Sequence, residues 1–102
     1  MGNHDVGRAM AAAAEAFWAG NGDAPVDRDK ALRVLDAAGE RFRGADAEFD
    51  DEFFGETPLS RLVAIAFDAT PEEIKSRDGG YDDGLAWYNG PEARFHDRYQ
   101  FC

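Results

Sequence analysis

Six carboxylates, Asp46, Glu48, Asp50, Asp51, Glu52 and Glu56, fall within eleven residues with no base between them. Side chains of this kind and spacing can do two things. Spread over one face they raise a negative field that draws in a basic surface. Converging on one point they ligate a hard cation. The calcium version fails on register. Counted from Asp46, an EF-hand loop needs Gly at its sixth position and Glu at its twelfth, and this chain has Asp51 and Thr57 there. A second acidic stretch, Asp78-Gly79-Gly80-Tyr81-Asp82-Asp83-Gly84, reads as a turn with at most weak affinity for a cation. No metal ligand set and no cofactor is expected.

The candidates for covalent or acid–base chemistry are few. His4 and His96 lie far apart in sequence, lack ligand-spaced partners and read as surface histidines. His96 has Asp97 beside it but no accompanying nucleophile. Ser60 and Ser76 sit in no nucleophile elbow and no Ser-x-x-Lys setting. Small, acidic, helical chains include the acyl carrier proteins, which need an Asp-Ser-Leu-like serine at a helix start. Here Ser60 follows Leu59 and Ser76 follows Lys75, so that requirement is not met. Cys102 is a terminal thiol and a poor catalytic nucleophile. We expect no catalytic residues and no enzyme.

The second notable group is aromatic: Tyr81, Trp87, Tyr88, Phe95, Tyr99 and Phe101, with Arg94 and Arg98 among them. Such residues serve either as core or as interface anchors. Trp87 and Tyr88 are the candidate anchors.

The net charge of −10 is uneven. Residues 1–43 carry seven acids and six bases, residues 44–83 twelve acids and three bases, and residues 84–102 two of each. A field concentrated in the middle third repels phosphates and argues against nucleic acid as a direct ligand. It suits a basic protein surface, including the cationic channel of a nucleic-acid-handling enzyme, where carboxylates stand in for phosphates. The excess of arginine over lysine, nine to two, is also what a GC-rich genome or a salt-loving host gives.

These side chains must be positioned by a chain of 102 residues with 44% hydrophobic content, enough for a core and about the length of one domain spanning 1–102. A single cysteine permits no intrachain disulfide, and with no leader or membrane-spanning pattern the expectation is a cytoplasmic protein. Gly2 has the myristoylation position but Val6 stands where Ser or Thr belongs.

Helical spacing links Val6, Met10, Ala13, Ala14 and Phe17, and Gly20-Asn21-Gly22 ends that run. Asp27 caps a second helix with Ala31, Leu32, Leu35, Ala38 and Phe42 inward, continuing to Arg43 before Gly44. Asp46 to Phe54 reads as a short acidic helix whose like-charged i,i+4 pairs are offset by Phe49, Phe53 and Phe54 packing inward. Thr57-Pro58 opens the most apolar helix, and Thr70-Pro71-Glu72-Glu73 is a capping box with proline in the first turn.

Asn89-Gly90 and the alternation of Phe95, Asp97, Tyr99 and Phe101 favour a hairpin, while Pro91 and the Phe95–Tyr99 spacing favour a helix. The expected fold is therefore mostly α: a compact bundle of four to five short helices with a C-terminal aromatic arm or small β-hairpin, or all-α in the alternative.

The leading functional expectation is a non-enzymatic binding or inhibitor protein. It presents Asp46, Glu48, Asp50, Asp51, Glu52 and Glu56, with Trp87 and Tyr88, to a basic surface, as immunity-type and anti-defence inhibitors do. The alternatives are an assembly subunit that docks through its aromatic arm and a small metal-dependent module. The oligomeric state is left open.

Overall fold

A computed structural model describes residues 4–102. Gly2, whose acylation the sequence argues against, lies outside them. The chain is helical, and among the described residues there is no strand.

Helix α1 (His4–Asn21) buries Val6, Met10 and Ala14 along one stripe. The Asn21 side chain donates to the Ala24 carbonyl at 2.9 Å as the chain turns away. Helix α2 (Arg28–Gly39) starts where Asp27 accepts the Lys30 N–H at 2.8 Å, and it turns Ala31, Leu35 and Ala38 inward. The helix ends at Gly39, before the expected stop, and a 3-10 turn covers Glu40–Phe42.

Helix α3 (Pro58–Ala66) begins at a reciprocal cap. Thr57 accepts the Ser60 N–H at 3.1 Å, and Ser60 accepts the Thr57 N–H at 2.9 Å. Its Leu59, Leu62, Val63 and Ala66 are wholly buried against α1 and α2, so the most apolar segment is the centre of the bundle. Helix α4 (Pro71–Arg77) carries the Thr70/Glu73 capping box expected from its sequence.

The last third departs from the favoured expectation. Helix α5 (Leu85–Trp87) runs through a π-helical turn, Tyr88–Glu92, into α6 (Ala93–Tyr99). The hairpin is therefore wrong, for a reason visible in the residues. In a helix Phe95 and Tyr99 lie on one face, and both are wholly buried. Asn89-Gly90 is absorbed by the wider π turn, where Gly90 packs closely on the Glu73 carboxylate: a Cβ there would push that side chain aside. After Tyr99, Gln100 turns left-handed at φ 56° and sends Phe101 back onto the core.

The expected helix over Asp46–Phe54 is also absent. Residues 45–49 are irregular and a 3-10 turn covers only Asp50–Phe53. The like-charged pairs that would have burdened a helix are not formed. What holds the segment is tertiary packing. Phe49 and Phe53 meet Phe95 at ring separations of 5.2 and 5.4 Å, and Phe101 closes the group. Its backbone lies directly on α1 at Gly7, where any Cβ would overlap the Glu48 carbonyl oxygen. Phe54, expected inward, is 71% exposed.

Candidate functional site

The irregular segment 47–54 and the C-terminal run from Asp82 to His96 face each other across a cleft of about 690 Å³. Each wall is built by a local device. On one side, Phe49 and Phe53 anchor the segment to α6, and Thr57 donates its hydroxyl to the Glu52 carbonyl just before α3. On the other, Ser76 at the end of α4 donates to Asp82 at 2.6 Å and accepts the Trp87 N–H at 3.1 Å. Asp82 in turn accepts the Ala86 N–H at 3.1 Å, capping α5. The glycine-rich acidic stretch is thus a turn tied to the start of α5.

The lining has three layers. Deepest are Phe49, Phe53 and Trp87, the last only 2% exposed. Phe54, Leu85 and Tyr88 stand at the rim, 71%, 57% and 62% exposed. Around them are the carboxylates of Glu48, Asp50, Asp82, Asp83 and Glu92. Arg77 is the one permanently cationic side chain in the lining, and it is already engaged. Its Nε donates to Asp78 at 3.0 Å, and its guanidinium lies 5.5 Å from the centre of the Trp87 ring. The cleft is therefore apolar at the bottom and negative at the mouth.

Two titratable groups inside it are displaced from their ordinary values. Burial pushes the Glu92 carboxyl up to about 7. Among the described residues nothing ion-pairs or hydrogen-bonds with it. Burial pushes the His96 imidazole below its usual value, against the opposing pull of Asp97. The ring packs edge-on to Phe49 at 5.3 Å, so His96 is a half-buried cleft residue and not the surface histidine expected. Trp87 adds a third anomaly: its Nε1–H is buried and has no acceptor. The other tryptophan, Trp18, donates to the Pro58 carbonyl at 2.9 Å.

The six clustered acids do not share one face. Glu48 and Asp50 line the cleft and also flank His4, whose Nε2 and Nδ1 lie 3.3 and 2.6 Å from their carboxylates. These three exposed groups bring one ligand atom each within 4.8 Å of the others. Glu56 is paired with Arg61 at 3.4 Å. Asp51 and Glu52 face a separate, smaller depression beside Glu15 and Pro58. Asp46 is exposed and lines neither depression.

Of the two aromatic candidates, Tyr88 stands at the rim and Trp87 is buried beneath it. Asp82, Asp83, Glu92, Phe54, Leu85 and His96 join the site only through tertiary structure. The acidic loop at 78–84 was the one sequence signal pointing towards any of them.

Comparison of the chain with family models, with curated proteins and with solved structures finds no match. Among the described residues no helix is long and apolar enough to cross a membrane.

Proposed function

We propose that this chain is a binding protein that presents its acid-rimmed, aromatic-floored cleft to a basic surface of a partner macromolecule. The observation that carries the reading is the cleft itself. It joins part of the acidic segment to the C-terminal aromatics and surrounds exposed Phe54, Leu85 and Tyr88 with five carboxylates. Aromatic anchors ringed by charge have the composition of interface hot spots. The negative rim selects cationic partners and speeds their encounter. A nucleic-acid-handling enzyme, countered by an immunity-type or anti-defence inhibitor, is a partner class of this charge.

Selection from a random displayed-peptide library against the full chain tests the reading without a known partner. Enriched peptides should combine Arg or Lys with Leu or aromatic residues. Their affinity should fall at least tenfold between low and moderately high salt, and should be lost in the triple variant Glu48→Lys, Asp50→Lys, Asp83→Lys. Enrichment of acidic or purely apolar peptides, or binding that ignores salt and charge reversal, overturns it.

A second reading, a subunit that assembles with copies of itself, is favoured by the same exposed apolar trio at the rim. Light scattering separates the two, because an apolar self-interface persists in high salt.

A further inference from the structure

Within that binding reading, we propose that the cleft receives an arginine side chain of the partner protein, with the Glu92 carboxylate as its counter-ion and the cleft aromatics as its stacking walls.

The argument starts from a carboxylate left without a partner. Glu92 closes the π turn and lines the cleft, with no hydrogen bond or ion pair among the described residues. A half-buried carboxylate without a partner is less well solvated than a free one, and a cation entering the cleft gains by pairing with it. Its raised titration agrees with that solvent-poor setting.

The neighbours decide what kind of cation fits. Tyr88 and His96 offer accessible flat rings, while Phe53 and Trp87 are buried in the floor. A planar guanidinium can stack on such rings while its edge meets a carboxylate; a compact, strongly hydrated ammonium gains less. The chain uses the same arrangement twice for its own arginines, with Arg61 3.9 Å from the Trp18 ring centre and Arg77 5.5 Å from that of Trp87. The orphan Nε1–H of Trp87 is a second unspent polar group among the residues of the same lining.

The charged surroundings of Glu92 are one-sided. Sharing its cleft are Glu48 and Asp50 from one wall, Asp82 and Asp83 from the other, and His96 on its own helix. On α4, Arg77 is held by Asp78, and Glu73, packed on Gly90, pairs with Arg94 at 3.6 Å. Arg61, the charged residue of α3, is taken up by Glu56 and Trp18. Lys75, also on α4, lies 6.0 Å from the centre of the Tyr81 ring; among the described residues no cation pairs with Glu92, and the acids around it also favour an incoming positive charge.

The test is a titration of the full-length protein followed by amide and indole N–H resonances. The probe is the peptide acetyl-Gly-Leu-Arg-Leu-Gly-amide, and the comparator carries citrulline, the neutral isostere, in place of arginine. The arginine peptide should move the Trp87 indole signal and the amides of residues 88–92, leave the Trp18 indole in place, and bind at least tenfold tighter than the citrulline peptide. Glu92→Gln, whose spectrum reports its folding, should remove most of the arginine preference. Glu48→Gln with Asp50→Asn should weaken the arginine peptide by a smaller factor and leave the uncharged citrulline peptide unchanged. Because the free carboxyl titrates near 7, arginine binding should weaken about tenfold from pH 8 to pH 6.

Equal binding of the two peptides, or an arginine preference undiminished by Glu92→Gln, overturns the proposal. So does agmatine binding more tightly than the peptide, which makes the cleft a site for a small organic cation. Any of these leaves the wider reading standing if library-derived basic peptides still depend on the rim. Loss of rim dependence with the arginine preference intact does the reverse.

Discussion

Asp36 and Arg98, 62 positions apart in sequence, form a two-pronged ion pair with both N···O distances at 2.8 Å. The pair ties α2 to α6, and the Tyr99 hydroxyl donates to the same carboxylate at 2.7 Å. Three donors on one carboxylate, Arg98 foremost, hold Asp36 below its usual titration range. The site depends on this clasp indirectly, because α6 carries His96 and continues the π turn that ends at Glu92.

Asp36→Asn should therefore destabilise the protein by about 1–2 kcal/mol at pH 7, as urea unfolding would measure. The sign with pH follows from the depressed folded value. The contribution is fully present above the unfolded value near 3.8 and is lost as pH falls through the folded one. Wild type and variant should converge in strong acid.

Glu92→Gln should act in the opposite sense. The unfolded carboxyl titrates near 4.5 and the folded one near 7. Between these values the folded protein holds a proton that the unfolded chain lacks, so the Glu92 contribution is present below 4.5 and fades as pH rises through 7. Glutamine never ionises. The variant should melt close to wild type at pH 4.5 and a few degrees above it at pH 8, for a gain of about 1 kcal/mol after allowance for the solvent that still reaches the group. Equal melting temperatures at both pH values would contradict the placement of this carboxyl.

Gly7→Ala tests the seat of the acidic wall. Alanine favours a helix interior by about 1 kcal/mol over glycine. Here the added methyl meets the Glu48 backbone, which cannot swing aside as a side chain would. A net loss of about 1–3 kcal/mol is expected, with the amide signals of residues 47–50 displaced. A stabilised variant would mean that the wall does not rest on α1.

Phe95→Ala should be the most damaging single change, at about 3–5 kcal/mol in chemical denaturation. Phe95 is wholly buried and its ring meets those of Phe49, Phe53, Tyr99 and Phe101 at 5.2–5.7 Å. The same substitution at exposed Tyr88 should leave stability within about 0.5 kcal/mol while weakening capture of basic peptides.

Local signals in the sequence were decisive where structure is set locally. Asp27, Thr57 and Thr70 cap helices because their side-chain oxygens satisfy N–H groups three residues on, a relation visible in the sequence itself. The mostly helical class followed. The same reasoning fails where distant contacts override it. Residues 46–54 have helical spacing of Phe49 and Phe53, yet their conformation is dictated by the ring of Phe95 and the missing Cβ of Gly7. Asn89-Gly90 signals a tight turn, yet the i,i+4 burial of Phe95 and Tyr99 wins. The cleft was legible only in part: Glu48, Asp50 and Tyr88 carried a signal, whereas Glu92 is an ordinary helical glutamate until the fold half-buries it in the cleft.

The chain just before one wall is fastened to the chain just after the other. The Gly44 N–H bonds the Tyr99 carbonyl at 2.9 Å, the Cys102 N–H bonds the Ala45 carbonyl at 3.1 Å, and Arg43 reaches the Arg98 carbonyl at 2.8 Å. The segments that lead into the two walls therefore hold each other, and hydrogen exchange at the Gly44 and Cys102 amides reports whether that fastening stays closed when a peptide occupies the cleft.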